Sequence, residues 1–517
     1  MKTLKVKARI FRFDPAKDEG PWFAEYVVEV DESASILDLL LEIKKKAPDL
    51  AVPYSCRVGR CGSCAVVVNG IPVLACQTPV KRFGHMLEIS PLPGFRVLKD
   101  LVVDNSGILR VGVEVLSGYL RRTQPYVPPE KIPHNRVEYL HEFKQCIACG
   151  ACLAACPVYS IDKHRFGGPH AMRILAQYAE DPRDGAPRVE EAALRGLYMC
   201  LTCGNCQVVC PHEIAIHRGV LALRRKAYSA ERAPFKLVDV IDAIEDPETG
   251  NPLYMPRTER GAWIKGLRPT PNARTLVFAG CMASYADRGS VRALALLLEL
   301  AGVEYQVLGS EELCCGMPIF LAGSWEKARK QAEKLAKMLK SRGIDVVVTP
   351  CPSCYRMLRK EYPEVLGVEL EVEVLHATQL LLDLLRKGRL KIRKRVELVV
   401  TYHDPCDLGR HMGVYDEPRE ILRTIPGVKL VEMLRGRYRE YSRCCGAGGD
   451  LKIVDPELSL RIASERLSDV PRDAQVVLHA CPTCKIQFTE ASTRIGTKLQ
   501  NISVQELLLT VVGGDDE

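Results

Sequence analysis

The 22 cysteines of this 517-residue chain constrain its fold more than any other feature of the sequence. They fall into three kinds of ordered motif, and none lies outside one. The first is C-x4-C-x2-C-x11-C, and two runs of C-x2-C-x2-C-x3-C-P follow it. The other ten form two copies of a longer pattern, a single Cys followed by Cys-Cys-Gly and then by C-P-x-C. Thiols grouped so completely predict a series of iron–sulfur centres, and hence a protein that moves electrons.

The bulk composition is that of a globular protein large enough for three or four domains. The net charge of +8 is spread along the chain without a block of like charges, which favours a solvated surface over a nucleic-acid face. The N-terminal residues alternate as a strand does, and no run reaches ~18 apolar residues, so we expect neither a signal peptide nor a transmembrane segment. We therefore expect a cytoplasmic protein, in which thiols stay reduced and grouped cysteines indicate metals.

The order of motifs and breakers predicts the domain organisation. Residues 1–105 are β-rich, and residues 106–232 alternate helical stretches with the two Cys runs. Residues 233–272, rich in proline and glycine, are interpreted as a linker. From there the chain repeats itself, which predicts one lobe over 273–395 and another over 396–517.

Local signals refine this division. Ser35 is a predicted N-cap of the helix SILDLLLEIKKKA, and Asn69-Gly70 predicts a hairpin turn. Each lobe has three apolar runs, TLVFAG, VEYQVLG and DVVVTP in the first and VELVVTYHD, VKLVEM and AQVVLHA in the second. A helix over WEKARKQAEKLAKMLKSRG is closed by Gly343. Strand, Cys loop, helix and strand predict a parallel sheet, so we interpret the lobes as Rossmann-like α/β folds with ligands beyond the strand ends.

The first motif has the spacing of plant-type [2Fe–2S] sites, in which four thiolates hold two irons. Gly59 and Gly62 permit a tight loop whose amides can donate hydrogen bonds to sulfur. A four-Cys zinc ribbon is the alternative, although zinc prefers two C-x2–4-C knuckles. The predicted ligands are Cys56, Cys61, Cys64 and Cys76.

The two C-x2-C-x2-C-x3-C-P runs predict a pair of cubane [4Fe–4S] clusters. In such pairs the fourth Cys of each run ligates the cluster of the other run, because a short loop surrounds only three corners of a cube. The first cluster is predicted to bind Cys146, Cys149, Cys152 and Cys210. The second is predicted to bind Cys156, Cys200, Cys203 and Cys206.

The repeated C-terminal pattern supplies five thiols per lobe. Five thiolates exceed the four positions of tetrahedral zinc, which favours iron, although zinc bound by four of the five in one lobe remains an alternative. We interpret these cysteines as the catalytic set. They are Cys281, Cys314, Cys315, Cys351 and Cys354 in the first lobe and Cys406, Cys444, Cys445, Cys481 and Cys484 in the second.

Polar residues near these motifs are weaker candidates. His403-Asp404 and His479 could transfer protons to a thiol substrate, or could only support the metal ligands. Three further side chains could bind an anionic tail or lie in solvent, namely Arg410, His411 and Arg443.

Residues 1–232 resemble the iron–sulfur subunit of succinate dehydrogenases and fumarate reductases. The resemblance rests on SCRVGRCGSC, NGIPVLAC, PLPGFRVLKDLVVD, CIACGACLAACP and CLTCGNCQVVCP. It implies a β-grasp ferredoxin domain, an α-helical bis-[4Fe–4S] domain and a flavoprotein partner that carries FAD. Quinone-linked relatives usually lack the residue matching Cys203 and have a Trp pair where Ser160-Ile161 stand, so these residues weaken a quinone site.

Residues 273–517 resemble the cysteine-rich CCG repeat of heterodisulfide reductases, through ELCCGMP, TPCPSC, YHDPCDLGR, SRCCGAGG and HACPTC. The resemblance implies noncubane [4Fe–4S] clusters, one in each lobe. The fusion is similar to the iron–sulfur subunit of the thiol:fumarate reductases of methanogens. That likeness implies oxidation of coenzymes M and B to their heterodisulfide, with fumarate reduced on the flavoprotein fumarate reductase subunit of a heterodimer.

Two other functions remain open. The lobes could dock a quinone-linked succinate dehydrogenase or fumarate reductase at a membrane. The chain could also belong to a 2-hydroxy-acid dehydrogenase, but the matching subunits of such enzymes generally lack the [2Fe–2S] domain.

Overall fold

The computed structural model describes residues 2–120 and 132–512. They form two compact units, an N-terminal unit of Met1–Leu223 with Arg435–Arg437 and a C-terminal unit of Arg224–Leu434 with Tyr438–Glu517. Met1, residues 121–131 of the expected helical domain and residues 513–517 of the expected second lobe lie outside the described residues.

The N-terminal unit begins with a five-stranded sheet in the order β2-β1-β5-β3-β4, as seen in residues 2–120. Its elements are β1 (Thr3–Arg12), β2 (Trp22–Asp31), α1 (Ile36–Lys46), β3 (Ala65–Val68), β4 (Ile71–Leu74) and β5 (Met86–Ser90), followed by the small hairpin β6 (Val97–Lys99) and β7 (Val102–Val103). The pair β1–β5 is parallel and its neighbours are antiparallel. The predicted hairpin at Asn69-Gly70 is confirmed. The predicted cap is confirmed too, because the Ser35 side chain accepts from Asp38 N.

Short helices follow the sheet and carry the two Cys runs. They are α2 (Ser106–Ser117), α3 (His134–Lys144), α4 (Ala151–Ala155), α5 (Pro157–Ile161), α6 (Gly168–Glu180), α7 (Arg188–Leu194), α8 (Asn205–Val208) and α9 (Ile216–Ser229). Helix α6 is buried along most of its length, so it forms the centre of this domain.

The segment 233–272 is more ordered than the linker that its prolines and glycines predicted. It contains α10 (Phe235–Glu245) and a 3-10 helix, Arg257–Ile264. Leu237, Ile241 and Trp263 are buried. Pro234 and Pro256 stand at the starts of these two helices, where a missing N–H costs nothing, so they do not prevent folding.

Two lobes, each with a parallel sheet, make up the rest of the C-terminal unit. The first contains β8 (Thr275–Val277), α11 (Gly280–Tyr285), α12 (Arg288–Leu300), α13 (Met317–Ala322), α14 (Trp325–Ser341), β9 (Val346–Thr349), α15 (Pro352–Arg356), a π-helical stretch (Met357–Leu366), β10 (Glu373–His376) and α16 (Ala377–Arg386). The second contains β11 (Leu398–His403), α17 (Asp416–Thr424), β12 (Val428–Leu430), α18 (Leu451–Val454), α19 (Pro456–Leu467), β13 (Val476–His479), α20 (Pro482–Ile495), β14 (Gln500–Ser503) and α21 (Val504–Val512).

The sheet orders are β10-β9-β8 in the first lobe and β12-β11-β13-β14 in the second, among the residues that the structure describes. The run VEYQVLG makes only an isolated bridge, Leu276 with Gln306, so its assignment as a full apolar strand was wrong. The last strand of each lobe, β10 or β14, was not among the apolar runs because its sequence is partly polar. Among the described residues, no helix is both long and apolar enough to cross a bilayer.

Candidate metal centres

The first motif forms a loop before β3 that places backbone amides around its sulfurs. The amides of Arg60 and Cys61 donate to Cys56 Sγ at 3.2 and 3.3 Å, and the Cys56 amide donates to Cys61 Sγ at 3.4 Å. After β4, the amide of Cys76 donates to Cys64 Sγ at 3.5 Å. Such amide–sulfur bonds stabilise negative sulfur, so the loop suits thiolates that bind a metal.

Gly62 brings this loop against the first Cys run. Its φ is +72°, and a Cβ at this position would lie 2.6 Å from the Ile147 carbonyl oxygen and 3.0 Å from Cys149 Cα. A side chain there would therefore collide with backbone, which cannot move aside as a flexible side chain can. The absence of a Cβ at Gly62 allows the cysteines of the first motif and of the first run to lie next to each other.

Two cavities in the helical domain each contain four of the predicted ligands. The first is lined by Cys146, Cys149, Cys152 and Cys210. The second is lined by Cys156, Cys200, Cys203 and Cys206. Each cavity thus takes three cysteines from one run and the fourth from the other.

Burial and crowding set the acidity of these thiols. Burial raises the pKa of Cys152 and Cys206 well above the ordinary value and that of Cys156 to about 12, and the neighbouring thiols add to the effect. Four thiols in one cavity cannot all ionise without a compensating positive charge. A cluster of iron ions supplies such a charge, so the donor set of each cavity fits a four-thiolate centre.

His170 on α6 is a residue that the sequence analysis missed. Its Nδ1 lies 3.8 Å from Cys146 Sγ, and its ring lines the first cavity. Burial lowers the pKa of His170 to about 4, so the ring is neutral near pH 7. It lies 24 residues from Cys146, and no local pattern joins the two.

In each lobe the five thiols lie in a continuous series, and each is close enough to the next to change its acidity. The order is Cys281, Cys314, Cys315, Cys354 and Cys351 in the first lobe. It is Cys406, Cys444, Cys445, Cys484 and Cys481 in the second. The distance from Cys484 Sγ to Cys445 Sγ is 3.4 Å. Nine of these ten cysteines are buried, and Cys406 is partly exposed.

The sheets explain this convergence. Cys351 follows β9 and Cys481 follows β13, and each is the N-cap of the next helix. Cys281 and Cys406 come shortly after β8 and β11. Parallel strands end at one edge of a sheet, so cysteines placed after them meet there.

The central thiol of each series differs from its neighbours. Hydrogen bonds from Cys314 and Cys354 lower the pKa of Cys315 to about 6, and Cys445 has its pKa lowered to about 6 by the matching pair in its own lobe. The pKa of Cys281 is well above its ordinary value because of its hydrogen bond with Cys314 and its burial. With five thiols, each lobe holds more sulfur donors than one tetrahedral ion can use.

A buried ion pair adjoins the first lobe's thiols. Arg260 donates to the Glu312 carboxylate at 2.8 Å and lies 3.6 Å from Cys281 Sγ. The same carboxylate accepts the amides of Ala279 and Gly280, both at 2.9 Å. A guanidinium at this position favours negative charge on Cys281. Neither Arg260 nor Glu312 was singled out by the sequence analysis.

The second lobe has a different set of charges. Arg419 binds the buried Asp404 carboxylate with two nitrogens, at 2.7 and 2.8 Å. Ser442 lies two residues before Cys444, as Glu312 lies before Cys314, and it donates to the Asp404 carbonyl at 3.1 Å. Asp404 is therefore bound within the protein, which leaves less support for its role in proton transfer.

His403 lies close to the second lobe's thiols. One of its ring nitrogens, Cys445 Sγ and Cys484 Sγ lie within 4.8 Å of one another. Its Nδ1 has no hydrogen-bond partner among the described residues, and the ring packs on Phe488 at 4.7 Å. Phe278 stands at the matching position before Cys281. Such a group of three could bind a single ion in the second lobe.

The remaining candidates contact the protein itself. His479 bonds to Asn501 Oδ1 at 3.0 Å, and Arg443 pairs with Glu465 at 2.8 Å. Arg410 donates to the Glu440 carbonyl at 3.1 Å, and His411 lies 4.0 Å from the Asp407 carboxylate. These contacts favour a structural role over the binding of an anionic tail.

Three domain families match parts of the chain. Residues 7–110 match a 2Fe-2S iron-sulfur cluster binding domain, and residues 142–214 match a 4Fe-4S dicluster domain. Residues 275–359 and 400–489 each match the cysteine-rich domain known as CCG. The chain is therefore a multidomain iron–sulfur protein, as the resemblances predicted.

Relatives that match most of the chain are subunits of reductases. The B subunit of the fumarate reductase (CoM/CoB) of Methanothermobacter marburgensis is 33% identical over 506 residues, which are 97% of this chain and 98% of that one. The D subunit of the dihydromethanophenazine:CoB–CoM heterodisulfide reductase of Methanosarcina acetivorans is 32% identical over 72% of this chain and 94% of its own length. A solved hypothetical protein from Helicobacter pylori shares the fold, with a TM-score of 0.61 over 100% of this chain and 96% of its own, at 16% identity.

Replacing Gly62 by Ala should displace the first motif from the first run. The new Cβ would meet the Ile147 carbonyl, and the left-handed backbone adds strain. We expect a reduced [2Fe–2S] signal in EPR and a lower iron content. Gly84→Ala is the control, because Gly84 has φ +78° and nothing within 4 Å, so it reports strain alone. Equal signals from both variants would show that the close approach does not matter.

Replacing Arg260 by Met should leave the Glu312 carboxylate buried without its cation. Breaking a buried pair costs about 3–5 kcal/mol. We therefore expect a lower urea midpoint in fluorescence, to which the nearby Trp263 contributes, and a loss of iron. The double variant Arg260→Met/Glu312→Gln should recover much of the loss. Arg274→Met, which removes an exposed pair with Asp345, is the control and should change little. An equal fall in the urea midpoint of Arg260→Met and Arg274→Met would show that the buried ion pair is no more important than the exposed one.

Proposed function

Because the chain belongs to the family of the CoM/CoB fumarate reductase B subunit, we propose that it is the electron-transferring and thiol-oxidising subunit of a fumarate reductase. The thiols of coenzymes M and B lose two electrons and two protons as one S–S bond forms. Fumarate takes up two electrons and two protons on a flavoprotein partner, which carries the FAD. The name of the Methanothermobacter marburgensis relative includes both coenzymes and fumarate, which supports this assignment.

Five cysteine sets would hold the metals. These are the first motif for one [2Fe–2S] cluster, the two cavity sets for two cubane [4Fe–4S] clusters, and the two five-thiol series for two noncubane [4Fe–4S] clusters. When bound, such clusters supply one-electron carriers, which a two-electron thiol oxidation needs in order to reach a distant flavin.

The two five-thiol series are the observation that carries the proposal. Both have the same order of contacts and both lie at strand ends, where parallel sheets bind ligands. Burial of nine of the ten thiols keeps water from most of these sulfurs, and Arg260 favours negative charge at Cys281. The lobes therefore offer two similar, largely buried sites, one for each of two thiols.

The alternative of a quinone-linked enzyme has less support. Cys203 lines the second cavity together with the three other cysteines of its set. The set can thus hold four irons and pass electrons on, whereas the quinone-linked relatives described above usually lack the cysteine at this position. Membrane docking by the lobes has no independent observation in its favour.

Zinc in one lobe remains a second candidate, and the second lobe suits it better. His403 adds a nitrogen ligand beside Cys445 and Cys484, whereas Phe278 offers none at the matching position. Zinc commonly binds mixed Cys and His sets.

Metal analysis separates these two possibilities. Clusters in both lobes predict roughly 18 irons per chain, whereas zinc in one lobe predicts roughly 14 irons and one zinc. His403→Phe copies the residue of the first lobe and should lower zinc only if zinc is held there. His479→Phe is the control, because His479 bonds to Asn501 instead. Full zinc in His403→Phe would exclude His403 as a zinc ligand.

The function itself is tested on the purified complex with its flavoprotein. We expect fumarate-dependent oxidation of coenzymes M and B, with one heterodisulfide formed per succinate. A complex that oxidises a quinol rapidly with fumarate but does not oxidise the two thiols would overturn the proposal in favour of the quinone-linked enzyme.

A further inference from the structure

One buried histidine contacts matching positions of both lobes. His376, the last residue of β10, is fully buried. Its Nε2 lies 3.3 Å from the Pro350 carbonyl oxygen and 3.1 Å from the Ala480 carbonyl oxygen. Pro350 directly precedes Cys351, and Ala480 directly precedes Cys481. The ring therefore touches the start of the C-P-x-C turn in each lobe.

The hydrogen bonds define the tautomer of this ring. The amide of Thr378 donates to His376 Nδ1 at 3.2 Å, so Nδ1 is an acceptor. The proton of the neutral ring is then on Nε2, where it faces both carbonyls. Because both contacts are made by one N–H, the two turns share a single donor.

His376 also has a local role, from which the cross-lobe contact must be separated. It is the N-cap of α16, and its own amide donates to Gln379 Oε1 at 3.1 Å. Strand pairing places Ser503 at the matching position of the second lobe, since His376 pairs with Thr349 and Ser503 with His479. Ser503 caps α21 with a short hydroxyl. A cap thus needs no ring, and the longer side chain at His376 serves a different contact.

A second bridge connects the same turn of the second lobe to the first lobe. Glu506 takes part in the Ser503 cap and binds Lys485 at 2.6 Å. Lys485 directly follows Cys484 and pairs with Asp287 of the first lobe at 2.7 Å. The C-P-x-C turn of the second lobe is therefore connected to the first lobe twice, through His376 and through Lys485.

We propose that His376 is a positioning residue that holds the two C-P-x-C turns at a fixed separation. This role rests on the proposed function, because joining two separately bound thiols requires both sulfurs to reach bonding distance. A misplacement of about 1 Å can cost roughly 100-fold in rate. The contact of the ring with Ala480 would have no such role in a reaction that used one lobe alone.

Two substitutions separate the bridge from the cap. The shorter side chain of His376→Asn would place its amide group near the position of Nδ1, so this variant keeps a good N-cap but cannot reach Ala480. Gln has the reach of Nε2, so His376→Gln keeps a donor for the two carbonyls. We expect His376→Asn to lower the kcat of thiol-dependent fumarate reduction about 10- to 100-fold, with the KM of each thiol nearly unchanged. His376→Gln should keep most of the wild-type kcat.

Fumarate reduction driven by a reduced viologen dye, together with iron content, controls for damage elsewhere. The dye-driven rate and the iron content should be unchanged in the two variants, because electrons from the dye can reach the other clusters without passing through the lobes. Hydrogen–deuterium exchange on the intact complex tests the bridge without any turnover. Exchange should rise in peptides covering 345–356 and 476–486 of His376→Asn, and not of His376→Gln.

Faster exchange confined to α16 in His376→Asn, or equal behaviour of the two variants, would overturn the positioning role. A wild-type complex without thiol-dependent activity would overturn the proposed function instead. In that case the exchange data would still decide whether His376 holds both turns.

Discussion

Crowding of buried thiols is the interaction on which the rest of this structure depends. Each cavity of the helical domain contains four cysteines, and each lobe contains five that affect one another's acidity. Thiolates so close repel one another, and burial removes the water that would screen them. Positive or polar groups of the surrounding protein offset this repulsion, such as the amides that face Cys56 and the guanidinium of Arg260. Metal would supply the larger part of the compensating charge, so we expect folding and metal binding to be coupled.

The two lobes share their sulfur arrangement but differ in what surrounds it. Arg260 and Glu312 adjoin the first set, whereas the Asp404–Arg419 pair and His403 adjoin the second. Charge and hydrogen bonding around a cluster are among the features that set its potential. Two centres with unlike surroundings are suited to two unlike thiols, since each thiol can then meet a different potential. The asymmetry of the lobes therefore fits the proposed formation of a mixed disulfide.

Much of this organisation could be predicted from the sequence because it depends on spacing. The grouping of Cys210 with the first run follows from the geometry of a short loop around a cube, and the ends of parallel strands bring distant cysteines together. Contacts such as Arg260 with Glu312, 52 residues apart, leave no periodic signal. The two helices of the segment 233–272 were not predicted because Pro234 and Pro256, which indicate breaks in a sequence, also fit the start of a helix. His376 was missed because its sequence shows only a polar residue at a strand end.

The capping positions show how a repeat can acquire a contact that neither copy would need by itself. A helix start requires only a short acceptor, and Ser503 meets that need in the second lobe. At the matching site of the first lobe the acceptor is one nitrogen of a ring, which leaves the other nitrogen to serve a second site. Glu506 likewise serves both its own cap and Lys485. Since both bridges involve caps, an error at either helix start would reach the C-P-x-C turn of the second lobe, through His376 from α16 and through Lys485 from α21. The stability of the caps and the spacing of the two thiol sites are therefore linked properties of the two lobes.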